Sequence, residues 1–159
     1  YLAVVRGWPP EQGSIDHPLY EEQDPCDDRP LRDDRPAQPA STRFERLATT
    51  TLPIPVGRYP EARYALLRLT PQTGRRHQLR RHLKHLGHPL IGDTTHGRGE
   101  HNRLFREHLG CHRLLLAATR LRFTHPADER PMDIHCDLAA DFSAVLPQLG
   151  WHPQPPFVD

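Results

Sequence analysis

The sequence predicts an α+β fold, a mixed and mostly antiparallel sheet flanked by short helices. Three observations carry that prediction. Several stretches either alternate apolar with polar residues or run apolar for five positions, the two signatures of a strand. One stretch shows a helical period instead. Strands and helices follow one another without a regular βαβ beat, which separates α+β from α/β. With 159 residues, 36% of them hydrophobic, and 18 prolines, the chain fits one loop-rich domain with a modest core.

The elements follow in order. The run Tyr1-Leu-Ala-Val-Val5 is long enough for a buried strand over 1–6, and Gly7-Trp8-Pro9-Pro10 ends it. A second extended piece is expected over 14–20. Residues 21–39 are rich in Asp, Arg and Pro with no apolar period, and a mobile loop is expected there. Residues 42–48 and 63–70 read as strands separated by a turn around 53–60. Between 73 and 87 the period changes: Leu79, Leu83 and Leu86 fall at i, i+4 and i+7, one face of a helix. Thr73 is its expected N-cap, Gly87 its left-handed stop, and Pro89 bars its continuation. A second short helix is expected over 102–109, stopped by Gly110, and residues 113–118 are apolar enough for a buried strand. Leu121 and Phe123 alternate with Arg120 and Arg122, as Met132, Ile134 and Cys136 do with Asp133, His135 and Asp137. Leu138, Phe142, Val145, Leu146 and Leu149 fit a last amphipathic helix, which Pro147 should shorten.

Charge is distributed unevenly. The formal net charge is +1, yet residues 1–40 hold nine acids and four bases, a net of −5, while residues 71–126 hold eleven bases and three acids, a net of +8. The first helix concentrates the cations: Arg75, Arg76, Arg80, Arg81 and Lys84, with His77, His82 and His85 among them, and no acid between Glu61 and Asp93. A basic face kept only for solubility usually mixes signs, so a polyanion partner, nucleic acid above all, is the expectation. No apolar run has the length of a membrane span, and no membrane partner is expected. Cys26, Cys111 and Cys136 show no CxxC spacing and read as reduced thiols of a cytoplasmic protein.

The residues with chemical potential are few. His77, His82, His85 and His88 lie five, three and three apart, not the four that stacks two ligands on one helical turn, and arginines crowd each of them. No metal site is expected, and these histidines read as polar or RNA-facing. The triplets Asp28-Arg29-Pro30 and Asp34-Arg35-Pro36 read as solvated loop charges. Arg80 stands apart. It flanks Leu79 and Leu83, where a half-buried guanidinium can aim its planar fork at a carboxylate or a phosphate.

Taken together, Thr73-Gly-Arg-Arg-His-Gln-Leu-Arg-Arg-His82 and Gly87-His-Pro-Leu-Ile-Gly-Asp93 resemble the signature of the RluA-like pseudouridine synthases. Tyr1-Leu-Ala-Val-Val-Arg-Gly7, Arg113-Leu-Leu-Leu-Ala-Ala118 and Phe123-Thr-His-Pro126 are similar to other strands of that family. Gly57-Arg-Tyr-Pro60, the acidic loop before Pro39-Ala40 and the Arg-Arg-His-Leu run look most like its tRNA-modifying branch. The resemblance implies the pseudouridine synthase catalytic-domain type of fold and isomerisation of a specific uridine of tRNA to pseudouridine, with no cofactor and no metal. It implies Arg80 as the partner of the nucleophilic aspartate and Tyr1 as the ring that packs on the flipped base and removes its C5 proton. Leu116 is implied as an apolar wall, and Arg75, Arg76, His77, Arg81, Lys84 and Arg113 as RNA contacts.

Two departures accompany the resemblance. The family's His-Arg-Leu-Asp nucleophile motif lies before its tyrosine, and this chain opens at Tyr1; Ala117 stands where the family usually has His. Met132 is the only methionine. Residues 1–159 are therefore expected to be the C-terminal portion of a single catalytic domain, inactive alone. A non-catalytic RNA-binding module on the same fold is the alternative.

Overall fold

The computed structural model describes residues 1–22 and 36–152. Strands β1 (Leu2–Arg6), β2 (Gln12–Asp16), β3 (Ser41–Leu52), β4 (Ala62–Pro71) and β5 (Leu116–Ala117) form one sheet in the order β2-β3-β4-β1-β5. Every pairing in it is antiparallel. A separate ribbon pairs β6 (Arg120–Thr124) with β7 (Pro131–His135). The helices are α1 (Gln78–His85), α2 (Gly99–Leu109), α3 (Ala140–Ser143) and α4 (Val145–Gln148). The expected α+β class and antiparallel sheet are what the chain adopts.

Alternation along the central strands feeds two cores. Ala3, Val5, Ala65, Leu67 and Leu69 pack with Leu79 and Leu83 of α1. Val4, Tyr64 and Leu66 pack with Leu104 and Phe105 of α2 and with Phe142, Val145 and Leu146 of α3 and α4. Both faces of the sheet are thus covered. This explains why β1 is a continuous apolar run: Leu2 to Val5 are at most 1% exposed.

Several expectations shift. The second extended piece lies at Gln12–Asp16, not 14–20, because its partners are Ser41 to Glu45 of β3; Leu19 makes only an isolated bridge to Gln38. In the expected loop 21–39, residues 23–35 lie outside the described residues, and with them Cys26, Asp28-Arg29-Pro30, Asp34 and Arg35. β3 runs on to Leu52, absorbing a bulge between Arg46 and Ala48. The expected strand over 113–118 reduces to Leu116–Ala117, the part within reach of Leu2 and Ala3 on β1. The single last helix is two short turns. Pro147 has no N–H to offer the Ser143 carbonyl, and α3 ends at that residue.

The end of α1 follows its expectation. Gly87 is left-handed (φ 83°), its N–H bonds the Lys84 carbonyl, and the His88 N–H bonds the Leu83 carbonyl. That double closure turns the chain back toward the sheet, where Val5 bridges Leu90 and Ile91 donates to the Val4 carbonyl. Gly92 comes next, with φ 80°, and a Cβ there would collide with the Arg113 carbonyl. Gly92→Ala is expected to cost about 2–4 kcal/mol of stability, read as a lowered midpoint in urea. An unchanged midpoint would show that the segment at Arg113 can move aside.

Candidate active site

The site is built on the start of α1. Thr73 is not the N-cap: the helix begins at Gln78, and the residue before it, His77, is left-handed (φ 50°, ψ 25°). Gln78 performs the tethering that a cap would supply. Its buried amide donates to the Ser41 carbonyl and to Thr42 Oγ1, both at 3.0 Å. Its Oε1 accepts the Arg75 N–H at 3.0 Å and the Thr73 hydroxyl at 2.8 Å. The loop 73–77 is thereby bound to the first residues of β3.

His82 completes the tether and is not RNA-facing. It is fully buried, with Nε2 3.0 Å from the His17 carbonyl and Nδ1 2.9 Å from Thr42 Oγ1. A carbonyl only accepts, so Nε2 carries the proton and Nδ1 takes the Thr42 hydroxyl's. Burial lowers the His82 pKa, which keeps the ring neutral as this pattern requires. His85 stacks on His17 with ring centres 3.6 Å apart, and His88 Nδ1 lies 2.8 Å from the Arg6 carbonyl. These three histidines are spoken for structurally.

Arg80 leaves the same helix toward the connection that follows it. Its Nε donates to Asp93 Oδ2 at 2.7 Å and its Nη2 to Asp93 Oδ1 at 2.8 Å, a bidentate fork. The Asp93 side chain is wholly inaccessible, that of Arg80 18% exposed. Oδ1 also accepts the N–H groups of Thr95 (2.9 Å) and His96 (2.7 Å). Buried Asn102 of α2 braces the turn, accepting the Gly92 N–H and donating to the Asp93 carbonyl, both at 2.8 Å. Burial alone would raise the Asp93 carboxyl, but the Arg80 fork and the two backbone donors outweigh it and hold it at about 2. Asp93 is thus a fixed anion with its oxygens committed, unsuited to attack a substrate. Arg80 is a fixed cation whose Nη1 is outside that fork and can meet a second anion.

The other expected residues, Arg113 apart, are spread over this side of the molecule. Leu116 lies opposite Ala3, and Tyr1 exchanges backbone hydrogen bonds with Leu69, so both strand positions belong to the face that α1 covers. Tyr1 is 39% exposed and lines an open cleft of about 420 Å³ with Arg68, Thr70, Thr119 and Arg122. Neither Arg80 nor Leu116 lines that cleft. Arg75 donates to the Pro39 carbonyl, Arg76 to the Glu22 carbonyl, and Arg81 to the Tyr20 carbonyl. Lys84 is exposed. Arg113 is turned the other way, to Asp141 at 2.6 Å and over the Phe142 ring. Among the described residues, Glu22, His77 and His96 form a group whose ligand atoms lie within 4.8 Å of one another, a set that could hold a metal ion. No helix of the described residues is long and apolar enough to cross a membrane.

Comparison with known proteins bears on what this arrangement serves. The model of the RNA pseudouridylate synthase family matches residues 1–85, from the Tyr1 strand through the whole of α1. The chain belongs to the RNA pseudouridylate synthase family. Within it, the chain is 48% identical over 151 residues to the tRNA pseudouridine synthase C of Vibrio cholerae and to that of Salmonella typhi. Those matches cover 95% of this chain but 62% and 58% of the two relatives, so it spans about three fifths of their length. Human RNA Pseudouridylate Synthase Domain Containing 1 superimposes with a TM-score of 0.58 at 26% identity, over 86% of this chain and 52% of that one. The family signature at 73–82 therefore coincides with the tethered loop and helix that aim Arg80. Sequence reasoning places Gln78 and Asp93 in the motif without giving either a role, and gives none to His96 or Asn102. The available signal was Asp93 itself, the first acid after Glu61 in a cationic stretch.

Proposed function

We propose that the protein converts a specific uridine of tRNA to pseudouridine, and that residues 1–159 are the C-terminal portion of its single catalytic domain. The bond between uracil N1 and ribose C1′ breaks, the base turns, and C5 bonds to C1′ while the C5 proton is lost and N1 gains one. In the family an aspartate of a His-Arg-Leu-Asp motif starts the reaction. That motif is not in this chain, and the nucleophile is assigned to the rest of the protein. Arg80 is its guanidinium partner, keeping the carboxylate ionised and aimed.

The observation that carries this reading is the Arg80–Asp93 fork, whose arginine lies within the residues that the family model matches. It presents a pre-oriented cation at the surface of a sheet whose same face bears Tyr1 and Leu116. Tyr1 is assigned to packing on the flipped uracil and removing its C5 proton, and Leu116 to the apolar wall. Arg75, Arg76, His77, Arg81 and Lys84 are assigned to phosphates, which position RNA without reading it. Arg113 joins them only if it leaves Asp141. No cofactor or metal enters the reaction, and the cytoplasm, where tRNA is modified, is the proposed location.

The test is tritium release from tRNA labelled at uridine C5, using the whole protein. Release in step with pseudouridine formation is expected; binding of tRNA with no release from any substrate RNA would overturn the proposal. A second expectation separates binding from chemistry. Arg81→Ala or Lys84→Ala should each flatten the slope of log affinity against log salt by about one unit, with little change in single-turnover rate at saturation.

A further inference from the structure

Glu22 is held by groups that suit a different anion. Its Oε2 lies 2.9 Å from His77 Nδ1 and its Oε1 3.3 Å from Arg81 Nε. His96 Nε2 faces the same Oε1 at 3.8 Å, too far for a hydrogen bond, and is a buried polar atom without a partner although its ring is only 11% exposed. His77 reaches this point from a left-handed backbone, one of two such non-glycine residues among those described. Strain of that kind, with an unpaired buried nitrogen beside it, marks a place where the structure is shaped for something it must hold.

We propose that His77, Arg81 and His96 form a phosphate-binding site, and that the Glu22 carboxylate occupies it as an internal surrogate that a phosphate displaces. This rests on the reading that the protein acts on RNA. A carboxylate is planar and offers two oxygens, which reach His77 and Arg81 and leave His96 short. A tetrahedral phosphate carries further oxygens in a second plane and can accept from His96 Nε2 as well. Charge selects an anion over a metal ion. The anions Asp93 and Glu22 act on His96 as well as the cations Arg80 and Lys84, but Arg80 neutralises Asp93, so once Glu22 swings out the Arg81 guanidinium and Lys84 leave the group with an excess of positive charge. The location is also useful. The His96 N–H holds Asp93, and Asp93 holds Arg80, so a phosphate here is linked through those two residues to the arginine assigned to the reaction.

The experiment compares tRNA affinity across salt for the whole protein, Glu22→Gln, His96→Ala and the double variant. Glu22→Gln is expected to bind about three- to tenfold tighter, with a steeper salt slope by about one unit, because the surrogate no longer competes. His96→Ala should weaken binding and erase that gain in the double variant. Unchanged or weaker binding by Glu22→Gln would overturn the inference, as would stoichiometric zinc binding that Glu22→Gln and His96→Ala abolish. Inorganic phosphate added at constant ionic strength then separates the sources. Competition with tRNA for the Glu22→Gln variant means the site takes free phosphate too, and its absence means it takes only the backbone phosphodiester. If no variant binds tRNA, it is the functional proposal that fails. Phosphate-dependent shifts of the His77 and His96 imidazole resonances in Glu22→Gln then decide the site alone, their presence supporting it and their absence overturning it.

Discussion

Arg80→Lys in the whole protein is expected to lower pseudouridine formation by about 10²–10³-fold while leaving the fold and most of the tRNA affinity intact. Lysine keeps a positive charge beside buried Asp93, so that carboxylate is not abandoned without a counter-ion. It cannot, however, fork both Asp93 oxygens and still present a third nitrogen outward, which is what the geometry of Arg80 allows. Arg80→Ala should abolish turnover outright. It also strands the Asp93 charge, at a cost of about 3–5 kcal/mol, so its activity has meaning only beside its melting curve. Single-turnover tritium release gives the chemical rate and filter binding gives the affinity. A loss of affinity as large as the loss of rate in Arg80→Lys would make Arg80 a phosphate contact and remove it from the chemistry.

How much of this was legible in the sequence depends on how far apart the interacting residues lie. Local regularities read well. The apolar run of β1, the Leu79–Leu83 face of α1, and the stops at Gly87 and Gly110 each follow from neighbours within one or two turns. Partners across the fold did not. Gln78 caps the loop from inside because β3 happens to present Ser41 and Thr42 to it, and no spacing announces a contact over 36 residues. The Arg80–Asp93 fork forms only because the Schellman turn at Gly87 and the left-handed Gly92 fold the connection back. The alternation in β6 and β7 was readable too, but not its setting: Leu121, Phe123 and Ile134 remain 59%, 39% and 46% exposed, so period 2 revealed the strand without revealing a core beneath it.

Asp93→Asn is expected to destabilise the protein as much as Arg80→Ala does, by about 3–5 kcal/mol at neutral pH, and to disable the reaction as Arg80→Lys does. An asparagine can keep one oxygen for the Thr95 and His96 N–H groups, but its amide nitrogen then confronts an Arg80 donor, and the guanidinium loses its counter-ion. The pH dependence identifies the cause. The native Asp93 carboxyl sits at about 2, against 3.8 when unperturbed, so between those values the unfolded chain binds a proton that the folded chain refuses. The stability due to the pair is therefore complete above about pH 5 and drains away as pH falls toward 2, on the order of 2 kcal/mol in all. Urea unfolding followed across that window should show the loss in the unmodified protein and a flatter limb in Asp93→Asn. Parallel acid limbs would place the source in some other carboxylate. A double-mutant cycle with Arg80→Lys supplies the remaining step: if Asp93 acts only by holding Arg80, the two losses of activity are not additive, and the pair behaves as one positioned group.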